Sequence, residues 1–351
     1  MPFAAIIILN YKNWQDTLEC LESLYRGDYP DFQVIVCDND SCNGSLEQIA
    51  GWAEGKISTP VSSQFMKRYS QPPIQKPIPF IMYDSPLTAE NAGRDRETEI
   101  RKANKNTRIK HPLVLIQTGK NIGFAGGNNF GIRYAIGNPE CEFVWCLNND
   151  TVVEKDALGK LAGYIHERPE IGGKKTALFA TKLRCYEQPE SVFSVGGKYI
   201  PWNGRLKGDR LETDLGQYDW EIRIHSVAGA SMAATTEFIR DVGFLDDEYF
   251  LFFEEFDWSI RALRHGYSLG YQWQSIVYHK GGMSIGGGSK APSPFSVYHN
   301  TRSKLIFTKK HFPLFYLQIA LLLWSSGILN KLKGKKEIGD AILRALFGKP
   351  F

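Results

Sequence analysis

The stretch AAIIILNYKNWQDTLECLESLYRGDYPDFQVIVCDN, residues 4–39, sets the fold class. It opens with an unbroken apolar run, Ala4–Leu9, of the kind found in strands buried on both faces. A helix follows over Asn13–Tyr25. Asn13 can cap it, Leu18, Leu21 and Tyr25 recur at helical spacing, and Gly27 sits where a C-terminal glycine belongs. A second strand, Phe32–Cys37, then ends in Asp38-Asn39. Strand, helix and strand of these lengths form a βαβ unit, with both strand C-termini along one edge of a parallel sheet. Ligands of such sheets bind at that edge.

The pattern resumes with a strand at Leu113–Ile116, a glycine-rich turn, a helix near Asn128–Ile136 and a strand at Phe143–Leu147 that runs into Asn148-Asn149-Asp150. Between a helix over about Ser45–Glu54 and Leu113 lies a segment rich in Pro, Gln, Lys and Arg, far longer than an ordinary connection. It reads as an inserted excursion, partly flexible, that covers the sheet edge, serves a partner or is a tolerated surface addition. From Thr176 the strand signals become shorter and more aromatic (Phe193–Val195, Lys198–Trp202), with a small-residue strand at Val227–Ala233. These predict a mixed-sheet subdomain. A helix opening near Glu254 and ending before Gly266, a strand at Leu269–Tyr278, a glycine-rich loop at 281–289 and a basic helix at Ser296–Lys310 follow. The apolar run Leu314–Leu329 and a lysine-rich tail come last, and no internal repeat occurs.

A chain of 351 residues can bury one large core or two modest ones. Its hydrophobic and charged fractions, 43% and 23%, are those of a folded, mostly soluble protein. A net charge of +4 is too small to argue for nucleic acid, and the lysines gather near the C-terminus instead of along a stripe. Met1 leads straight into an apolar strand without a basic n-region or cleavage site, which predicts no export. Cys20, Cys37, Cys42, Cys141, Cys146 and Cys185 show no CxxC pairing. Reduced core thiols in a cytoplasmic compartment fit that spacing better than zinc ligands or disulfides.

Asp150 ends a buried strand at the ligand edge and presents a hard oxygen suited to Mg²⁺ or Mn²⁺. By itself, an Asp at a strand end more commonly caps the next turn. Three further segments bear on it: VIVCDNDSCNGS at 34–45, NIGFAGGNNFG at 121–131 and FLFFEEFDWSIR at 250–261. Together with ILNY at 8–11 and the NND triplet, they resemble the family 2 glycosyltransferases of the GT-A fold, especially the branch containing bacterial rhamnosyltransferases. The resemblance runs from about Phe3 to Lys310, the excursion excepted.

The resemblance implies an α/β fold of GT-A type: a Rossmann-like, mostly parallel sheet with a smaller mixed-sheet acceptor region. It implies a catalytic domain over 1–310, interrupted at about 55–112, and a helical C-terminal extension over 311–351. The nucleotide base would be bordered by Asn10, Tyr11, Asp38 and Asn39, with Asp38 accepting from its imide. Gly123, Phe124, Gly126, Gly127 and Asn128 would line the wall, the glycines letting backbone approach the nucleotide. An ordinary turn and helix start is the alternative for that run, and the spacing of a dinucleotide fingerprint is absent. Asn148, Asn149 and Asp150 match the DXD motif, with Asn148 replacing its first Asp and Asp150 as the metal ligand.

The family's catalytic base is the second acid of a Glu-Asp pair opening a helix, which falls on Glu255, a Glu where Asp is usual. A carboxylate there is held charged by the helix dipole and can take a proton from an acceptor hydroxyl. Glu254 is the neighbouring alternative, and Asp257, four residues before Arg261, serves as support. His279 falls where the family often completes the metal or diphosphate site, which suits Mn²⁺ better than Mg²⁺. A plain packing role is its alternative. Ser284 and Arg302 would reach phosphate oxygens.

The implied reaction is a single displacement with inversion, from a nucleotide-sugar donor, foremost dTDP-rhamnose, to a glycan acceptor that is lipid-linked in related enzymes. Surface polysaccharide synthesis is the implied setting. A catalytically weak subunit that binds nucleotide-sugar or glycan and scaffolds a synthase complex is the second reading, favoured by the Glu255 departure and the excursion. A nucleotide-dependent dehydrogenase is disfavoured by the missing fingerprint. Lysines at 304, 309 and 310 and at 331, 333, 335 and 336 flank the apolar run, which is a little short to span a bilayer. That pattern suits peripheral contact through 314–336 with the inner face of the plasma membrane, or a core helix of the extension. The oligomeric state is left open.

Overall fold

The computed structural model describes residues 2–61, 63–91, 94–105, 107–167, 170–281 and 292–351. Strand β1 (Phe3–Asn10), helix α1 (Trp14–Tyr25) and strand β2 (Phe32–Asp38) form the expected βαβ unit, paired in parallel from Ala4↔Phe32 to Asn10↔Asp38. Asn13 holds the cap position of α1, but its side chain bonds Asp16 and no backbone N–H. Helix α2 (Ser45–Ala53) follows.

The excursion is more ordered than its composition suggests. It contains helix α3 (Lys67–Ser70), strand β3 (Phe80–Tyr83) and helices α4 (Pro86–Asn91) and α5 (Asp95–Ala103), and β3 adds an edge strand parallel to β4 (Leu113–Gln117). Its anchor is Glu22, fully buried on α1. The Glu22 carboxylate accepts from Trp52 Nε1 (3.0 Å), Thr59 Oγ1 (3.2 Å), Lys76 Nζ (3.2 Å) and the Ile74 amide. A buried carboxylate is tolerable only when it is so fully satisfied, so the segment and α1 fix each other.

Helix α6 (Gly123–Ile136) begins five residues earlier than the sequence suggests, because the glycines belong to it. A Cβ at Gly127 would stand 2.4 Å from Leu9 Cδ1, and one at Gly131 2.5 Å from Ile7 Cγ2. The glycines thus let α6 lie close upon β1. Strands β5 (Cys141–Asn148) and β6 (Thr151–Val153), helix α7 (Ala157–His166) and strands β7 (Glu170–Ile171), β8 (Lys174–Cys185), β9 (Ser191–Ile200), β10 (Arg205–Thr213) and β11 (Ser231–Thr235) come next. Helices α8 (Thr236–Val242) and α9 (Glu254–Arg264) and strand β12 (Ser268–His279) complete this part of the chain.

The sheet runs β10-β9-β8-β11-β5-β1-β2-β4-β3, with β12 joining β8 and β6. From β5 to β3 all strands are parallel; β11, β9 and β10 pair antiparallel. This is the mostly parallel sheet with a mixed region that the resemblance implies, its parallel part buried on both faces. All six cysteines are free, and burial pushes the Cys20 and Cys37 thiols up to about 12, so they are inert core groups.

Helix α10 (Pro294–His311) is capped by Ser293, whose Oγ accepts from Ser296 N at 3.1 Å. A helical pair follows, α11 (Tyr316–Leu332) and α12 (Lys336–Leu346), crossing at Gly327 and Gly339. Helix α12 buries Ala341, Ile342 and Ala345, whereas α11 buries only Ile319 and Gly327.

Candidate active site

Parallel strands ending together bring Asn10, Asp38 and Asn148 to one edge, as the registers Asn10↔Asp38 and Leu9↔Asn148 require. Asp38 is almost fully buried. Its Oδ1 accepts from Asn10 Nδ2 (2.6 Å) and Ser41 Oγ (2.5 Å), and its Oδ2 from Ser41 N (3.0 Å) and Gln117 Nε2 (3.1 Å). A carboxylate offers about four lone-pair sites, so Asp38 is saturated here. To accept from a base imide it must first give up a donor; of the three, Gln117 is the half-buried one, and its own Oε1 accepts from Gly119 N at 3.1 Å.

Asn39 pins the start of α6. Its Nδ2 donates to Asn121 Oδ1 (2.9 Å) and Gly123 O (3.1 Å), and its Oδ1 accepts from Ile122 N (3.1 Å). Gly123 has φ +79°, and a Cβ there would meet Phe250 O at 2.2 Å, so only glycine fits. Tyr11 lies half-buried at the same rim with the Lys12 ammonium 5.0 Å from its ring centre.

Asp150 Oδ1 stands 3.2 Å from His279 Nε2, and Asn148 Nδ2 is 3.4 Å from the same nitrogen. Antiparallel pairing of β6 with β12 sets this, because His279 faces Thr151. Burial pushes the Asp150 carboxyl up, but His279, a backbone N–H and Lys280 together leave the group below its ordinary value. Asn148 Oδ1 is buried without a partner. Among the described residues no three His, Cys, Asp or Glu side chains gather. The donor set is therefore a carboxylate, an imidazole and an orphaned amide oxygen, which fits a divalent cation that takes its remaining oxygens from a diphosphate and water.

The acid pair opens α9 after two residues in the left-handed region, Phe252 (φ 68°) and Phe253 (φ 73°). Aromatic residues adopt that region only when their surroundings impose it. Here Phe250 O accepts from Phe124 N (2.7 Å), Leu251 O from Ser303 Oγ (2.8 Å) and Glu248 O from Arg302 Nη1 (2.9 Å). Phe253 packs on Tyr199 and Phe307, at 5.9 and 5.2 Å between ring centres. The pair thus held faces Gly229: a Cβ there would lie 3.8 Å from Glu254 Oε1 and 3.9 Å from Glu255 Cδ. Ala230 O, next in the chain, accepts from Asn148 N at 3.0 Å, which joins the acids to the end of β5. Burial, then the charge of Glu255, pushes the Glu254 carboxyl well above its usual range, and its Oε2 has no partner. Burial and the Glu255 charge thus both favour the protonated form of Glu254, the deeper of the two acids, while Glu255 is half-buried.

Several expected residues point elsewhere. Asn149 turns inward, its Nδ2 donating to Asn13 O (3.0 Å) and Thr17 Oγ1 (3.2 Å), and Asn128 donates to Phe124 O (2.9 Å) within its own helix. Both are buried and hold backbone instead of presenting donors to a ligand. Gly126 faces Ile122, with a Cβ position 3.0 Å from its Cδ1, so this glycine too answers to protein. Asp257 is fully buried and accepts from Arg261 Nε, Lys310 Nζ and His311 Nε2, each at 2.7 Å; burial raises its carboxyl, but these hydrogen bonds and the Arg261 charge hold it well below the usual carboxylate range. It fastens α9 to the end of α10. Arg302 braces the acid loop through Glu248 O, and Ser284 lies outside the described residues. Ser41 and Gln117 went unassigned in the sequence; Ser41 lies within the quoted 34–45 motif, three residues after Asp38, the usual reach of a side chain that closes a turn.

A sequence model described as glycosyl transferase family 2 matches residues 5–61 and 89–187. Its gap covers the α3–β3 part of the excursion, so α5 belongs to the matched frame. The low-salt glycan biosynthesis hexosyltransferase Agl10 of Haloferax volcanii is 23% identical over 244 residues, 67% of this chain and 75% of that protein. The dTDP-rhamnosyl transferase RfbF of Shigella flexneri is 24% identical over 206 residues, 57% of this chain and 64% of that protein. Among solved structures, a mannosyltransferase of Pyrobaculum calidifontis in complex with GDP-Man and Mn²⁺ is 12% identical with a TM-score of 0.48, covering 100% of this chain and 76% of that one.

Proposed function

The chain belongs to glycosyl transferase family 2, and from that premise we propose that it is an inverting hexosyltransferase of bacterial surface polysaccharide synthesis, with dTDP-rhamnose as the foremost donor. The observation that carries this reading is the meeting, at one sheet edge, of the hydrogen-bonded Asp38 cluster, the Asp150–His279 pair and the Glu254–Glu255 pair. The likeness to a dTDP-rhamnosyl transferase supports the choice of donor.

Glu255 takes the proton from the acceptor hydroxyl. That oxygen attacks the anomeric carbon, the bond from that carbon to the diphosphate oxygen breaks, and the nucleoside diphosphate leaves with the electron pair. Attack from the face opposite the leaving group inverts the configuration. Glu254, neutral beside it, keeps a second negative charge away from the base, and Asp257 positions the helix that bears both. Asp150, His279 and Asn148 would hold a Mn²⁺ or Mg²⁺ ion, which neutralises charge on a leaving diphosphate. Thermal stabilisation across a panel of nucleoside diphosphates tests the reading, since a ligand at a hundred times its Kd adds about 2.7 kcal/mol to a native state. The expected result is a rise with dTDP or UDP that requires Mn²⁺; no rise with any of them would sink the proposal.

We place the enzyme at the cytoplasmic face of the plasma membrane, acting on a lipid-linked glycan. An 18-residue window within Pro313–Leu332 has a mean hydropathy of 1.3, yet only 11% of that window is buried. Leu314, Leu317, Leu321 and Trp324 are exposed along it, and monomers rarely leave such a patch in water. The β9–β10 turn extends the patch: exposed Trp202 accepts at its carbonyl from Gln318 Nε2 (2.9 Å), and exposed Leu206 lies beyond it. Exposed Lys309 before α11 and Lys333, Lys335 and Lys336 after it, with no ion pair among the described residues, favour an anionic lipid surface, each contributing about 1 kcal/mol. Leu317→Glu with Leu321→Glu, changes that touch no core, is expected to abolish flotation with anionic vesicles at low salt while sparing hydrolysis of a soluble donor. Equal flotation of variant and parent, or of neither, would leave the patch to a protein partner.

A further inference from the structure

Where α1 ends and the excursion folds back over it, a cavity of about 650 Å³ opens. Its lining includes Arg26, Arg68, Lys76, Arg108 and Lys155 and no carboxylate. Lys76 is neutralised by Glu22 at 3.2 Å and Lys155 by Asp28 at 2.9 Å. Arg26, Arg68 and Arg108 have no ion pair among the described residues. Two of these staple the excursion to the core: Arg26 donates to Pro72 O, and Arg108 to the carbonyls of Arg26 and Gly27 at 2.8 and 2.6 Å.

Stapling does not account for Arg68, which lies over the Phe65 ring at 3.9 Å and bonds two phenols, Tyr69 Oη at 2.7 Å and that of Tyr278, but no carboxylate among the described residues. Nor does it account for Tyr25, a wall residue 4% exposed whose hydroxyl is buried without a partner. An unpaired buried hydroxyl is costly, and a guanidinium in a carboxylate-free cavity selects for an anion. The volume lies in the range of small-molecule sites and exceeds what a bare phosphate fills, while Pro73, Ile74, Pro79 and Ile109 supply apolar wall for an organic body.

We propose that this cavity binds a phosphorylated small molecule, with Arg68 pairing the phosphate oxygens and Tyr25 donating to one of them. It is a second site. Helix α1 spans Trp14–Tyr25 and runs from the donor edge to the cavity, so at about 1.5 Å per residue the two lie on the order of 15 Å apart. The assignment stands whether or not the donor reading does.

Calorimetry on the full chain in EDTA tests it, with glucose 1-phosphate as the probe and inorganic phosphate in parallel. Glucose 1-phosphate is expected to bind the parent and Asp150→Ala alike, and more tightly than inorganic phosphate. Arg68→Gln and Tyr25→Phe are each expected to weaken it about tenfold. Tyr25→Phe removes only an unpaired hydroxyl, so its melting temperature without ligand should equal or exceed the parent's. Equal affinity in both variants, loss of binding in Asp150→Ala, or binding of neither anion at millimolar concentration would each overturn the proposal.

Discussion

Glu255→Gln is expected to bind donor as the parent does and to lose turnover by about two or more orders of magnitude, the usual scale of a missing general base. The amide keeps the volume of the side chain and the start of α9, so the loss reads on the proton and not on the fold. The structure sharpens the choice between the two acids. Glu254 is 4% exposed, and its carboxyl is raised by burial and by its neighbour's charge. Replacing a neutral acid with a neutral amide changes little, so Glu254→Gln should retain most turnover. Single-turnover kinetics with saturating donor separates the cases. If Glu254→Gln is dead while Glu255→Gln turns over normally, the base has been placed one residue too late.

The parallel core was readable in the sequence for a physical reason. Strands buried on both faces leave unbroken apolar runs such as Ala4–Leu9 and Phe143–Leu147, and their common edge then places Asp38 and Asp150 together. The start of α6 was not readable, because a glycine run signals a turn locally and its packing on Ile7 and Leu9 exists only in three dimensions. Strand β3 is four residues among prolines, too short for periodicity to register, and owes its place to pairing with β4 and to the Glu22 anchor. At the site the motifs named the right neighbourhood but not each side chain's direction. Asn149 and Asn128 are spent on backbone, and Asp38 has its oxygens filled by Ser41 and Gln117. Counting hydrogen bonds requires coordinates. The ties of Asp257 to Lys310 and His311 span more than fifty residues of chain, which no local pattern signals.

Asp150→Ala is expected to remove metal-dependent nucleoside diphosphate binding, weakening it more than about a hundredfold, since altering even a group that supports a metal ligand costs ten- to a hundredfold. The remaining donors explain why nothing substitutes for it. His279 is neutral when it ligates, and Asn148 offers one amide oxygen, so the variant site carries no negative charge to offset a divalent ion. The fold should survive. Among the described residues Asp150 has no ion pair other than His279, and a small side chain leaves little cavity. Asn148→Ala, which deletes the orphaned oxygen together with the Nδ2 contact to His279, should fall between parent and Asp150→Ala. Calorimetric titration of dTDP or UDP with and without Mn²⁺ decides it. A parent-like, Mn²⁺-dependent affinity in Asp150→Ala would put the cation elsewhere and reduce the Asp150–His279 contact to a clasp between β6 and β12.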